Sequence, residues 1–204
     1  MPIITAINLQ EKDKNRCNIY VDNEFFKGVS IEMVLKNSLK VGLEVDENKL
    51  NMLIQDSELT DALNKAVFYV SKALKTKRQV KDYLLKKGYS NDIVWKCIDK
   101  LKEYDLINDT QYSKRYIETM SKNQGKKLIE YKLMSKGIKK EDIYNAYETA
   151  EVSHVENAKL LAEKYMKNKE KTKENYAKVY KYLLSRGYSY DEVSEATSIF
   201  KDFD

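Results

Sequence analysis

The stretch VKDYLLKKGYSNDIVWKCIDKL, residues 80–101, decides the fold of this 204-residue chain because two further versions of it follow. Residues 129–150 read IEYKLMSKGIKKEDIYNAYETA, and residues 179–200 read VYKYLLSRGYSYDEVSEATSIF. When the three segments are aligned on their single glycines, residue types match at six fixed offsets. A period of roughly 50 residues is the length of one supersecondary unit, so the sequence predicts a repeat protein.

The matched offsets have the spacing of two helices that pack on a shared core. Leucine stands four residues before each glycine and a β-branched residue eight before it, which places both on one helical stripe. A second apolar stripe follows the glycine. The ninth residue after each glycine is small, and in the first segment it is Cys97. The glycine itself is typical of the end of a helix. We therefore expect the leucines to be buried in three equivalent cores: Leu84, Leu133 and Leu183.

These patterns predict a mainly α protein, a tandem array of three three-helix repeats with a small N-terminal β-hairpin/α region. The first 30 residues form short alternating runs divided by polar turns at 11–15 and 22–24, which is typical of a small antiparallel sheet. Ser30 and Asp46 are suitable N-caps for two helices that follow. The predicted domains are residues 1–57, 58–107, 108–152 and 153–204.

Within the repeats, apolar spacing and N-capping residues predict the helix boundaries. After a helix over 47–56, the first repeat begins with an amphipathic helix over 59–75. The chain contains no proline beyond residue 2, so almost continuous helix is expected from residue 59 onward. Ser90 and Ser189 are predicted N-caps of the last helices of the first and third repeats.

Composition predicts a soluble cytoplasmic protein without a membrane span. No apolar run approaches the roughly 20 residues that cross a bilayer, and the N-terminus lacks the basic start and apolar core of a signal peptide. The one histidine, His154, is expected at the surface near a helix start, and Cys97 is expected in the core. No metal cluster and no cofactor are expected. The net charge of +5 is mild, so the placement of charge matters more.

The basic residues concentrate in the predicted middle helix of every repeat. Residues 77–87, 126–136 and 171–186 carry formal charges of +4, +3 and +4. We predict that these helices form a basic surface for binding a filament or DNA. The candidate residues are Arg78, Lys81, Lys86, Lys126, Lys127, Lys132, Lys178 and Lys181.

Helix capping is the alternative explanation for part of this charge. Cations are favourable at a helix C-terminus, which accounts for the residue directly before each glycine: Lys87, Lys136 and Arg186. Capping does not account for four cations at predicted helix starts, where positive charge is unfavourable: Lys77, Arg78, Lys126 and Lys127.

Two other classes of protein fit the sequence less well. A helix-turn-helix DNA reader places its second helix in the major groove, but here the helix after each glycine is neutral to acidic. Most enzymes of known motif are disfavoured because the chain has no glycine-rich phosphate loop, no Gly-x-Ser-x-Gly and no Cys–His pair. We therefore expect a protein that is not an enzyme and has no catalytic residue.

Several segments together resemble the RecX family of bacterial recombination regulators. They are RQVKDYLLKKG at 78–88, LIND at 106–109, YSKRYI at 112–117 and LMSKGI at 133–138, with NIYVD at 18–22 and LKVG at 39–42 near the N-terminus. The resemblance extends over nearly the whole chain.

The resemblance implies a non-catalytic partner of the RecA recombinase. Members of the family lie in the groove of the RecA–single-stranded-DNA filament and modulate recombination, DNA repair and the SOS response, usually by inhibition. We expect a monomer that contacts the filament, and direct contact with DNA stays open. The alternative is a helix-turn-helix-like protein that acts on DNA by itself.

Overall fold

A computed structural model describes residues 1–11 and 13–201. Lys12, within the first predicted turn, and residues 202–204, at the end of the third predicted repeat, lie outside the described residues. The described chain is mainly helical, with a three-stranded sheet at its N-terminus. The predicted fold class is therefore confirmed.

The chain divides into two compact units. Residues 1–72 and 81–103 form the first unit, while residues 73–80 join the chain from residue 104 onward in the second. The division passes through the first repeat, because the first turn of its middle helix belongs to the second unit.

The N-terminal sheet is antiparallel with strand order β1-β2-β3. Its strands are β1 (Ile4–Leu9), β2 (Arg16–Val21) and β3 (Glu24–Ser30). Asp22 and Asn23, both with positive φ, turn the chain between β2 and β3, as favoured in two-residue hairpin loops. Alternate side chains form the buried face, as expected for a sheet covered on one side. The covering helix is α1 (Ile31–Lys36), whose first turn is capped by the predicted Ser30 side chain.

The helix α2 (Glu47–Ser71) differs from the prediction of two helices over 47–56 and 59–75. Asp46 caps it as predicted, but the expected break near residue 57 is wrong because no glycine or proline interrupts the chain there. One continuous helix therefore serves two cores. Its N-terminal part buries Leu50 and Ile54 under the sheet, and its later part buries Ala62 and Ala66 in the first repeat.

Three helices form each repeat, as predicted. The C-terminal part of α2, α3 (Lys77–Lys86) and α4 (Asn91–Glu103) make the first; α5 (Asp109–Met120), α6 (Lys126–Ser135) and α7 (Lys140–Thr149) make the second; α8 (His154–Met166), α9 (Lys173–Ser185) and α10 (Tyr190–Thr197) make the third, followed by a short 3-10 helix, Ser198–Phe200. Between residues 58 and 201 the described chain contains no strand.

The glycine after each middle helix creates the same turn three times. The φ angles are +89° at Gly88, +83° at Gly137 and +88° at Gly187. Residues with a side chain adopt this conformation only with strain. The residue after each glycine donates its backbone N–H to the carbonyl of the leucine four residues before the glycine, at 3.3 Å in all three turns. This is the Schellman arrangement that ends a helix.

The predicted core leucines are confirmed, because Leu84, Leu133 and Leu183 are 0% exposed. In each repeat the same residue therefore fills the core with its side chain and fixes the turn with its carbonyl. Cys97 is also fully buried, as predicted for a small core residue, and burial raises the pKa of its thiol to about 11.

Candidate interaction surface

The eight predicted binding residues lie on α3, α6 and α9, and most of them are exposed. Lys81 and Lys132 are half-buried, whereas the other six reach solvent: Arg78, Lys86, Lys126, Lys127, Lys178 and Lys181. Their position on the middle helices of all three repeats follows from the repeat itself. No comparison tests their role, so the binding surface stays a prediction.

Contacts between consecutive repeats supply a local reason for the cations at helix starts. The turn after α9 packs on the start of α6, where Gly125 N donates to Arg186 O at 2.9 Å and Lys127 N donates to Gly187 O at 3.3 Å. The carbonyl end of a helix carries partial negative charge. A lysine at the start of α6 therefore lies beside the negative end of α9, and its position is no longer unfavourable.

The same arrangement joins the start of α3 to the turn after α6 within the second unit. Thr76 Oγ1 donates to Lys136 O at 3.1 Å, and the Arg78 side chain covers Gly137. At the equivalent offsets the third repeat has Tyr176 and Ala177, and the described chain contains no fourth repeat to pack there. At these two offsets before the glycine, cations therefore stand in the two repeats that a following turn approaches, although α9 itself begins at Lys173.

Several predicted binding residues already have partners within the protein. Lys126 lies 4.0 Å from Glu130 and Lys178 lies 2.6 Å from Glu174, both across one helical turn at the surface. Such exposed pairs stabilise weakly and open easily. Lys81 lies over the Trp95 ring at 4.9 Å, and Lys132 Nζ donates to Gln124 Oε1 at 3.0 Å.

Three predicted residues are the best placed to meet a partner, one in each repeat. Lys86, Lys127 and Lys181 are exposed, and none forms an ion pair with any described residue. No described carboxylate therefore neutralises their charge.

The cations directly before the glycines share a contact that the sequence analysis missed. Lys87 lies over the Tyr83 ring at 5.8 Å, and Arg186 lies over the Tyr182 ring at 5.1 Å. Both tyrosines stand one helical turn earlier, so the i, i+4 spacing was a readable signal. In the second repeat Lys132 occupies that offset, and Lys136 lies instead over Tyr116 of α5 at 5.9 Å. We call these three contacts the cation–tyrosine pairs.

Each of these tyrosines also stacks on a second tyrosine. Tyr83 stacks on Tyr69 of α2 with ring centroids 4.2 Å apart, and Tyr182 stacks on Tyr165 of α8 at 4.9 Å. Tyr116 stacks on Tyr112 within α5 at 6.1 Å. In the first and third repeats the first helix therefore supports the ring under the cation.

The acidic residues of α10 have structural partners of their own. Glu192 accepts from the backbone N–H of Ser189 at 2.7 Å and completes a capping box. Glu195 accepts from Lys159 Nζ at 2.9 Å. Ser189 thereby caps α10 as predicted, and part of the acidic charge after the third glycine stabilises this helix.

His154 begins α8, as expected, but the prediction of a surface residue is wrong. The centroid of its ring lies 5.9 Å from that of Tyr147 and 6.5 Å from that of Tyr188, and both ring nitrogens are buried with no hydrogen-bond partner among the described residues. Burial lowers the pKa of this histidine, while the carboxylates of Glu192 and Glu130 act in the opposite direction and the Lys126 cation adds to the lowering. The cluster lies between the second and third repeats.

Two other kinds of site are absent from the described residues. No group of three or more His, Cys, Asp or Glu side chains there is arranged to hold a metal ion. In the same part of the chain, no helix combines the length and the apolarity needed to cross a membrane.

Comparison with known protein families covers both the sheet and the repeats. The regulatory protein RecX N-terminal domain matches residues 2–46, the first RecX three-helix domain matches 62–101, and the third RecX three-helix domain matches 151–197. The matched segments agree with the sheet, with the first repeat and with the third repeat.

Individual relatives support the same assignment. The regulatory protein RecX of Clostridium botulinum strain Alaska E43 is 32% identical over 100% of this chain and 99% of its own. That of Clostridium tetani is 34% identical over 93% of this chain and 90% of its own. A crystal structure of regulatory protein RecX superimposes with a TM-score of 0.66, at 25% identity, over the whole of both chains. The chain therefore belongs to the RecX family of regulatory proteins.

Proposed function

We propose that this protein binds the RecA–single-stranded-DNA filament and inhibits the recombinase without catalysing a reaction. The observation that carries the proposal is a basic middle helix in each of three repeats, in a chain that belongs to the RecX family. A repeat protein offers an extended surface, which suits a long and periodic partner. The proposal needs no cofactor, and it places a monomeric protein in the cytoplasm, where it would act in DNA repair and the SOS response.

Exposed cations on α3, α6 and α9 would make the first contacts. Lys86, Lys127 and Lys181 support this role because no carboxylate of the described residues forms an ion pair with them. Lys126 and Lys178 would contribute after their surface ion pairs open. Filament phosphates or acidic recombinase side chains would both attract such a surface, and binding would weaken as salt rises.

The alternative, a helix-turn-helix-like protein that acts on DNA directly, has weaker support. The helix that would enter the major groove is the one after each glycine turn. In the third repeat this helix is α10, which carries Asp191, Glu192 and Glu195 and no basic residue. DNA phosphates would repel it.

The test is a pull-down with four partners: single-stranded DNA alone, duplex DNA alone, RecA alone and the preassembled filament. We expect the filament to be retained most strongly, and strand exchange by RecA to fall as the protein is added. If duplex DNA of one sequence is retained as strongly as the filament, the result supports the alternative.

A charge-reversal variant connects this result to the middle helices. Lys86→Glu, Lys127→Glu and Lys181→Glu together should weaken filament binding at least tenfold. The control is Lys96→Glu, Lys102→Glu and Lys159→Glu, which changes the net charge equally at lysines that face carboxylates 3.0, 3.8 and 2.9 Å away. If the two variants lose filament binding equally, the effect comes from net charge alone and the predicted surface is refuted.

A further inference from the structure

The cation–tyrosine pairs are the most regular polar feature of the repeats beyond the predicted binding residues. Each repeat places the residue before its glycine over a tyrosine ring, at 5.8, 5.9 and 5.1 Å for Lys87, Lys136 and Arg186. The second repeat keeps the contact although its tyrosine comes from a different helix. Helix capping requires a cation at this position but no ring beneath it. The repeated ring therefore needs a separate explanation.

The pairs retain unused hydrogen-bonding capacity. Among the described residues, Lys87, Lys136 and Arg186 have no carboxylate within ion-pair distance. A contact with the ring face orients the cation and leaves its outward N–H groups available. The cost of ordering a long side chain is thus partly met before any partner arrives.

The tyrosines beneath the cations add a second donor. The hydroxyls of Tyr83, Tyr116 and Tyr182 have no hydrogen-bond partner in the described chain, and all three side chains are half-buried. Lysine, arginine and tyrosine are common donors to phosphate oxygens in protein–DNA complexes. A cation together with a hydroxyl is a suitable donor set for one phosphate group.

Repetition distinguishes between the anionic partners that such donors could bind. A cation over a tyrosine ring occurs directly before the glycine in every repeat, although the ring comes from α5 in the second repeat. A nucleic-acid strand presents an identical anionic group at every nucleotide, whatever its sequence. Proteins that bind single strands without sequence preference follow the backbone with positively charged side chains.

We infer that the three cation–tyrosine pairs bind phosphates of single-stranded DNA. This inference rests on the proposed function and assigns the DNA part of filament recognition to Lys87, Lys136 and Arg186. Other exposed lysines would then be available for the protein part. The pairs act one by one, so each contributes its own phosphate contact.

The experiment measures the salt dependence of binding to a fluorescent single-stranded oligonucleotide, to its duplex and to the preassembled filament. The test variant is Lys87→Gln, Lys136→Gln and Arg186→Gln. The matched control is Lys96→Gln, Lys102→Gln and Lys159→Gln, which removes the same charge from lysines that have carboxylate partners. Circular dichroism melting checks that both variants fold. A third variant, Lys87→Arg with Lys136→Arg, keeps cations over the rings.

We expect the test variant to lower the salt slope for single-stranded DNA by about 2, since each lost contact with a single strand removes roughly 0.7. The control should change the slope little, and the arginine variant should keep it. An unchanged slope in the test variant overturns the inference. So does a loss of filament binding with an unchanged slope for free single strands, because the pairs would then contact protein. If the wild type binds single strands but no filament, the proposed function fails while the slopes still test this inference.

Discussion

Gly187→Ala should destabilise the protein more than the chemically identical change at Gly88. Both glycines have nearly the same φ, +88° and +89°, so both substitutions carry a left-handed strain of roughly 1–2 kcal/mol. The surroundings differ. A methyl group at Gly187 would meet the side chain of Leu128 and lie 2.6 Å from its backbone nitrogen, whereas one at Gly88 would meet nothing described within 4 Å.

The steric contact adds to the strain at Gly187 alone. Overpacking of a closed contact costs roughly 1–3 kcal/mol. Gly187→Ala should therefore lower the free energy of unfolding by about 2–5 kcal/mol, and Gly88→Ala by about 1–2 kcal/mol. The extra cost arises from the junction between the second and third repeats, where the start of α6 supports the turn.

Urea denaturation followed by circular dichroism gives the two free energies, and hydrogen exchange locates the loss. Because the chain forms two compact units, amides of α9 and α10 should lose protection in Gly187→Ala, while those of α3 and α4 should lose it in Gly88→Ala. Equal destabilisation by the two substitutions would refute the close approach at Gly187.

A double-mutant cycle provides a second check. A methyl group at Gly125 would overlap the backbone of Gly187 and Tyr188 from the opposite side of the same junction. Opening the junction relieves both clashes, so Gly125→Ala and Gly187→Ala together should cost less than the sum of the single changes. Additive costs would indicate two independent sites.

Three further predictions concern the cores. Because burial lowers the pKa of His154 in the folded protein, the unfolded chain takes up the proton at a higher pH than the folded protein does. The free energy of unfolding should therefore fall as the pH drops below the ordinary pKa of 6.5 toward the pKa in the folded protein. His154→Phe should remove this part of the pH dependence from denaturation curves. Tyr147→Phe should raise the free energy of unfolding by about 1 kcal/mol, because the buried hydroxyl has no hydrogen-bond partner among the described residues; a loss of stability above about 1 kcal/mol would contradict this. Leu→Ala should cost roughly 2–5 kcal/mol at each of three equivalent positions, and near-neutral values would contradict the repeat alignment: Leu84, Leu133 and Leu183.

Local pattern was enough to predict the repeats, and tertiary proximity was needed for the rest. The glycine turns and core leucines were predictable because helix spacing and positive φ are encoded within about 20 residues. Gly125 could not be predicted in this way, because its φ of −78° is one that any residue adopts. A side chain is excluded at this position only because the turn at Gly187, 62 residues later in the chain, packs against it. His154 is similar, because α7 and the third glycine turn supply the rings that bury it.

The candidate site divides in the same way. That the middle helices are basic was evident from residue counts. The counts did not show which cations lie at contacts between repeats. The helix ends beside Arg78 and Lys127 belong to the following repeat and are distant in the sequence. The cation–tyrosine pairs were half visible: the first and third have i, i+4 spacing, but the ring under Lys136 comes from another helix.

The continuity of α2 fixes a rotational phase between the sheet and the first repeat. Each residue turns a helix by about 100°, so one residue inserted between Ile54 and Ala62 would swing one buried face away from its core. Seven added residues would nearly restore the phase, because they complete about two turns. Length variation among relatives should therefore avoid this stretch or occur there in whole turns. A cut at residue 57, however natural it looks in the sequence, would divide one helix and leave two incomplete cores.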